Sequence, residues 1–273
     1  MTRWLITGAG GLLGTDLAAK LPDAVALTRR DLDLLDAAAV RAAVDKHQPQ
    51  IVVNCAAWTA VDDAETREAD ARAVNGTAVQ SLAETCQDVG ARLVHLSTDY
   101  VFPGDATEPY AEDASVGPVN AYGRTKLAGE RAVLAYERGY VLRTAWLYGA
   151  HGPNFVRTMI RLSAERETVD VVDDQRGQPT WTGDLADQII TLMSSAAEPG
   201  VYHATNGGET TWYDLTREIF TLLGTDPDRV RPTTAAAFPR PARRPSYSVL
   251  TTTRGPGMRP WREALHAAWP DLA

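Results

Sequence analysis

The chain has 273 residues, enough for one large domain or two fused lobes, with 44% hydrophobic and 23% charged residues. That balance excludes extensive disorder, and a formal net charge of −8 without a long basic run excludes a nucleic-acid-binding footprint. No apolar stretch approaches the roughly 20 residues that span a bilayer, and no apolar leader precedes a cleavage site, so a cytoplasmic protein without a membrane partner is expected.

In chain order, the apolar run Trp4 to Thr7 predicts a strand that ends at glycines. Helical spacing follows from Leu12 to Leu21 and stops at Pro22. Ala24 to Thr28 reads as a second strand, Ala37 to Val44 as a helix, and Ile51 to Asn54 as a third strand. A helix over Arg72 to Val89 leads to a fourth strand, Arg92 to Leu96. A long helix, Ala121 to Tyr136, leads to a fifth, Tyr140 to Arg143. Strands that alternate with helices imply right-handed crossovers and a parallel α/β sheet of the doubly wound, Rossmann type. Their nearly continuous apolar character fits burial on both faces.

The rhythm changes after Gly149. Phe155 to Arg166 and Leu185 to Ser194 read as helices, and Val169 to Val172 and Val201 to Ala204 as strands. The expected division is a dinucleotide-binding core over 1–147, its sheet extended by strands near 168–173 and 200–204, and a mainly substrate-binding lobe over 148–273. The Pro- and Arg-rich stretch Pro232 to Pro245 reads as a long loop, a length usually tied to function or disorder. Cys55 and Cys86 read as small buried residues.

The first strand runs into Thr7-Gly8-Ala9-Gly10-Gly11-Leu12-Leu13-Gly14 and then a helix. In that context Gly8 permits a tight turn and Gly11 lets backbone N–H groups approach a pyrophosphate at the helix N-terminus. Gly14 lets helix and strand pack closely. The spacing is G-x-x-G-x-x-G, and Gly10, Leu12 and Leu13 belong to the same expected cradle. At the end of the second strand stand Thr28-Arg29-Arg30, where a carboxylate would favour NAD(H). Arginine pairs with a 2′-phosphate instead, so NADP(H) is favoured over NAD(H). Asp33 and Leu34 are placed at the adenine edge, and Ala56 and Ala57 are small enough to let a cofactor pass.

Two segments carry candidate chemistry. Thr98 follows the fourth strand, and Tyr122-Gly123-Arg124-Thr125-Lys126 opens the long helix. Tyr122 and Lys126 share a helix face at i and i+4. A cationic lysine there would lower the phenol's proton affinity and tune it for acid–base work. A lone Y-x-x-x-K is a weak signal; its strength comes from the order of glycine loop, strand-end threonine and Y-x-x-x-K. His95 and His203 sit in strands and read as packed histidines without a metal role.

The strings VVNCAAWTAVDDAE, HLSTDYVFPG, NAYGRTKLAGE, LRTAWLYG, NFVRTMIRL, DDQRGQPT and ARRPSYSVL together resemble the dTDP-4-dehydrorhamnose reductase family of extended short-chain dehydrogenase/reductases. The resemblance covers nearly the whole chain. It implies a Thr98/Tyr122/Lys126 triad, with Tyr122 supplying a proton to a C4 keto-sugar and Lys126 also holding the nicotinamide ribose. It implies a dTDP-linked keto-deoxysugar held by Thr59, Val61, Thr98, Asp99, Trp146, Asn154 and Arg244, and it makes Asp174 to Thr180 the segment joining two lobes. Trp58 departs from the family's usual histidine. Some members form a magnesium-linked dimer through acidic residues; the short Asp16 speaks against that metal link, and monomer and homodimer both stay open. A dihydrostreptose-type synthase or another antibiotic deoxysugar ketoreductase is an alternative. A nucleotide-sugar dehydratase is disfavoured because Thr98 is followed by Asp99-Tyr100, not Asp-Glu. A 4-epimerase stays open on fold grounds, and a non-catalytic nucleotide-binding subunit is the rival from outside enzymology.

Overall fold

Neighbouring residues in the central strands point to opposite faces of one sheet. Ile6, Val53, Val94 and Leu142 enter one core, and Leu5, Val52, Leu93 and Val141 enter another. Such alternation within all-apolar runs is what a parallel sheet covered on both sides requires. The computed structural model describes residues 2–273.

The first half runs β1 (Trp4–Thr7), α1 (Leu12–Lys20), β2 (Val25–Leu27), α2 (Ala37–His47), β3 (Ile51–Asn54), α3 (Val61–Thr66), α4 (Glu68–Arg72), α5 (Ala78–Val89), β4 (Arg92–Thr98), α6 (Ala121–Leu134) and β5 (Gly139–Thr144). The second half runs β6 (Leu147–Tyr148), α7 (Phe155–Glu165), β7 (Val169–Val172), β8 (Arg176–Gly177), β9 (Thr180–Trp181), α8 (Thr182–Ser194), β10 (Gly200–His203), β11 (Thr210–Thr211), α9 (Trp212–Leu222), β12 (Val230–Thr233) and α10 (Trp261–Leu272).

The main sheet is parallel, with strand order β10-β5-β4-β3-β1-β2. Helices α1 and α8 cover one face through Leu13, Leu17, Leu185, Ile189 and Leu192. Helices α5 and α6 cover the other through Val79, Leu82, Cys86 and Val133, joined by Val40 of α2. Each fully buried aliphatic side chain of this kind stabilises by about 1.5–3 kcal/mol. Strand order reverses between β1 and β3, and ligands of doubly wound sheets bind outside the carboxyl ends at such a reversal.

Two expectations are corrected. The strand at 169–172 does not extend the main sheet but pairs with β12 in a separate two-stranded unit. Its inner residues Val169 and Val171 pack with Val156, Ile219, Phe220 and Leu265, so helices α7, α9 and α10 bury it. The helix expected over Arg72 to Val89 is broken by a π-helical turn at Ala73–Thr77. Asn75 lies in that turn, and its side chain bonds the backbone of Trp58 and the hydroxyl of Thr125 instead of facing solvent. Single π turns inside helices commonly mark functional sites.

Candidate active site

The carboxyl ends of β1, β3 and β4 and the first turn of α6 frame the candidate site. Gly8 has φ of +67°, and a Cβ there would lie 2.5 Å from the backbone nitrogen of Ala56. A Cβ on Gly14 would collide with the carbonyl oxygen of Gly8. Gly10 and Gly11 are exposed at the N-terminus of α1, with Leu12 half-buried behind them and Leu13 in the core. The glycines thus leave a backbone-lined cradle at a helix N-terminus, which fits an anionic dinucleotide.

Beyond β2, the amide and hydroxyl of Thr28 both donate to Asp31 Oδ2, at 2.9 and 2.6 Å. These bonds hold the Asp31 carboxyl below its ordinary range and commit it to the turn. Arg29 and Arg30 are exposed, and neither forms an ion pair among the described residues. Asp33 accepts from the amide of Leu35, while the Leu34 side chain packs into the core. Ala56 and Ala57 are half-buried at the end of β3.

Thr98 ends β4 and donates to Asp99 Oδ1 at 2.9 Å. Asn120 caps α6 by accepting from Gly123 N at 2.8 Å, which fixes the first turn carrying Tyr122. Tyr100 meets Tyr122 edge to face, with centroids 5.8 Å apart. Burial, then the Asp99 carboxylate, push the Tyr122 phenol up, offset in part by Thr98. Lys126 is not among the groups that produce this shift. Burial brings Lys126 down to about 8, against a smaller upward effect of Glu130. Its Nζ donates to the Leu96 carbonyl at 2.6 Å and lies 3.2 Å from His95 Nε2. Burial pushes the Asp99 carboxyl up to about 6, and its Oδ2 has no partner among the described residues.

The residues expected at the sugar divide into two groups. Thr59 is exposed on the loop that Asn75 holds at Trp58, and Val61, the first residue of α3, is half-buried. Trp146 has φ of 45° and stacks on Trp212, with centroids 3.5 Å apart and planes 8° from parallel. Asn154 and Arg244 are already engaged. Asn154 caps α7 through Arg157 N at 3.1 Å and donates to the Gly149 carbonyl at 2.8 Å. Arg244 is bidentate on Asp62, at 2.6 and 2.9 Å.

Sequence reasoning missed Asn75, Trp212 and Gly177 and read His95 only as packing. An asparagine followed by glycine inside a helical pattern is a break signal that points to Asn75. Nothing local marks Trp212 or Gly177, because their roles arise from tertiary contact with Trp146.

A parallel sheet with a glycine cradle, and a strand-end threonine beside Y-x-x-x-K, define the short-chain dehydrogenase/reductase class. The profile of the RmlD substrate binding domain family matches residues 2–273, and the chain belongs to that family. It is 56% identical to a Streptomyces griseus protein named dTDP-4-dehydrorhamnose reductase, covering 99% of this chain and 94% of that one. It is 57% identical to a Streptomyces antibioticus protein named probable dTDP-4,6-dihydroxy-2-methyloxan-3-one 4-ketoreductase, covering 99% and 95%. The crystal structure of a Bacillus anthracis dTDP-4-dehydrorhamnose reductase in complex with NADP superposes with a TM-score of 0.96 at 37% identity, over 99% of this chain and 100% of that one.

Proposed function

We propose that the protein uses NADPH to reduce the C4 keto group of a dTDP-4-dehydro-6-deoxyhexose, with dTDP-4-dehydro-L-rhamnose as substrate and dTDP-L-rhamnose as product. The observation that carries this reading is the placement of Thr98, Tyr122 and Lys126 together at the carboxyl ends of β4 and the start of α6. The names of the relatives support the substrate class, and the NADP in the Bacillus anthracis structure supports the cofactor. Bound NADPH supplies the hydride. Tyr122, kept protonated by its surroundings, donates to the carbonyl oxygen, and the Thr98 hydroxyl holds that oxygen beside it. Lys126 has an N–H beyond the one spent on Leu96, available to a ribose hydroxyl. Arg29 and Arg30 meet the 2′-phosphate, and the Gly8–Gly14 cradle meets the pyrophosphate.

In this reading residues 1–147 hold the cofactor and 148–273 mainly the sugar nucleotide, with Thr59, Val61, Asp99 and Trp146 as its nearest contacts. All these groups come from one chain, so a single copy suffices. NADPH as reductant suits a cytoplasmic setting, and no helix among the described residues is long and apolar enough to cross a membrane.

A second reading, ketoreduction of another antibiotic deoxysugar, is favoured by the similar identity to the Streptomyces antibioticus relative and by Trp58 beside Thr59. Incubation with dTDP-4-dehydro-L-rhamnose and NADPH, followed by product NMR, decides between them. Stoichiometric NADPH consumption with a rhamnosyl product is expected; no consumption with any dTDP-4-keto sugar refutes both readings. Tyr122→Phe is expected to lower turnover about 100- to 10,000-fold and to leave NADPH binding intact.

A further inference from the structure

One buried ion pair lies beside the reactive group and takes no part in the chemistry described above. Glu130 of α6 is 1% exposed and Arg143 of β5 is 4% exposed. The Glu130 carboxylate accepts from Arg143 Nε at 2.9 Å and Nη2 at 2.8 Å, and from the hydroxyl of Ser97 on β4. Arg143 Nη1 donates at 3.2 Å to the carbonyl of Glu112, in the loop that leads from β4 to α6, and the guanidinium lies 4.9 Å from the centroid of the Phe102 ring.

A buried pair repays its desolvation only when its remaining lone pairs and N–H groups are also bonded, so stability alone is a weak reason for it. Its position says more. Ser97 immediately precedes Thr98, and Tyr122, Lys126 and Glu130 follow one another in steps of four along one face of α6. The carboxylate therefore ties the helix face that carries the phenol and the lysine to the strand that presents the threonine. We propose, resting on the reading of Thr98, Tyr122 and Lys126 as the catalytic group, that Glu130 is a positioning residue: gripped by Arg143 and Ser97, its carboxylate sets α6 against β4 and holds Lys126 as the ammonium ion.

Lys126 needs such a partner. It is 2% exposed, and its Nζ donates at 2.6 Å to the Leu96 carbonyl, which carries no full charge. Burial lowers its proton affinity, and Glu130 is the carboxylate, among the described residues, that works against this; at about 8 the ammonium form predominates at neutral pH. The other ionisable groups around the lysine do not supply the charge. His95 of β4, with Nε2 3.2 Å from Nζ, is kept neutral by burial and then by the lysine itself. Tyr122 stands one turn back on α6, and Asp99, just beyond β4, acts on that phenol. Arg143 is turned toward Glu130 and Glu112.

Glu130→Gln keeps the shape and an acceptor for Ser97 and Arg143 but removes the charge. The chain's only lysines are Lys20, Lys46 and Lys126. NMR of protein labelled at lysine Cε therefore resolves the titration of Lys126, whose signal is identified by its absence in Lys126→Arg. Its midpoint is expected at about 8 in the parent. In Glu130→Gln it is expected about one pH unit or more lower, a roughly tenfold loss of proton affinity. That variant leaves the Arg143 charge buried without a partner. Glu130→Gln/Arg143→Gln removes both charges and is the deciding variant, with a midpoint again expected below the parent's. A midpoint at or above the parent's in the double variant overturns the proposal, whatever the single variant does.

Turnover gives the second reading. The high-pH limb of kcat, where Lys126 gives up its proton, is expected to move to lower pH in both variants by as much as the midpoint moves. A role in packing alone would lower kcat equally at every pH and leave the limb in place, and that result overturns the proposal. Glu130→Asp keeps the charge but draws it back from Ser97 and Arg143, and it is expected to lower kcat while keeping the limb of the parent. The Cε titration needs no substrate, so its outcome is separate from that of the Tyr122→Phe test.

Discussion

Arg244 grips Asp62 with its two terminal guanidinium nitrogens, joining the Pro/Arg-rich loop to α3 across 182 positions of sequence. The Ala242 amide donates to the same carboxylate at 3.2 Å, and the Asn120 side chain donates to the Arg243 carbonyl at 2.9 Å. The loop is therefore fastened both to the helix beside Thr59 and to the residue that caps the Tyr122 helix. Arg244→Ala should free it, with a loss of about 1 kcal/mol in stability, between the values for exposed and buried pairs. Limited proteolysis should cut the variant between 234 and 246 and spare the parent, and KM for the sugar nucleotide should rise more than kcat falls. Arg244 chiefly lowers the Asp62 carboxyl below its ordinary range. The contribution of the pair is thus complete above the unfolded carboxyl value and lost as pH falls through the lower folded one.

Arg29 and Arg30 are exposed beside a carboxylate that the Thr28 turn has already claimed. Replacing both with alanine should weaken NADPH binding about tenfold or more, the size of charge-assisted hydrogen bonds. NADH binding should change little. Fluorescence titration with each nucleotide checks this, and equal losses for both would show that neither guanidinium reads the 2′-phosphate.

Asp99 carries a buried carboxylate oxygen without a partner, and burial raises its carboxyl to about 6. The folded chain thus holds this proton more tightly than the unfolded one. Ionisation costs stability as pH rises from about 4 to 6, by about 2–3 kcal/mol at most. Asp99→Asn should melt higher than the parent at pH 8, with a smaller difference at pH 5. Calorimetry at the two pH values reads the effect.

Trp146 holds a left-handed backbone conformation uncommon for a large residue, and the face of Trp212 supports its ring. Gly177 completes the seat: a Cβ there would lie 2.5 Å from the Trp146 ring. Trp212→Leu and Gly177→Ala act on the ring from different elements and should converge on one phenotype. KM for the sugar nucleotide should rise about fivefold, a loss of about 1 kcal/mol consistent with one aromatic contact, while NADPH affinity stays as in the parent.

The parts legible in the sequence were those carried by local pattern. The two-faced apolar runs identify β1, β3, β4 and β5, and the glycine spacing places the cradle between β1 and α1. Pairing was not legible: Val169 to Val172 has the composition of a sheet strand, yet α7, α9 and α10 draw it into the smaller lobe. Side-chain commitment was equally hidden. Asn154 and Arg244 have the chemistry of ligand contacts, and their sequence does not reveal the helix cap and the carboxylate 182 residues away that they also engage. The i, i+4 pattern reveals the lysine beside Tyr122, but not the burial or the Asp99 carboxylate that also act on the phenol.

The π-helical turn bears on how such a protein diversifies. Asn75 grips residue 58 by its main-chain nitrogen and oxygen, at 2.8 and 3.1 Å, and takes nothing from its side chain. Position 58 is thus a socket whose occupant can be exchanged over generations while the neighbouring threonine keeps its address. A lineage could retune the sugar it accepts there with one codon and leave the reactive centre where it is.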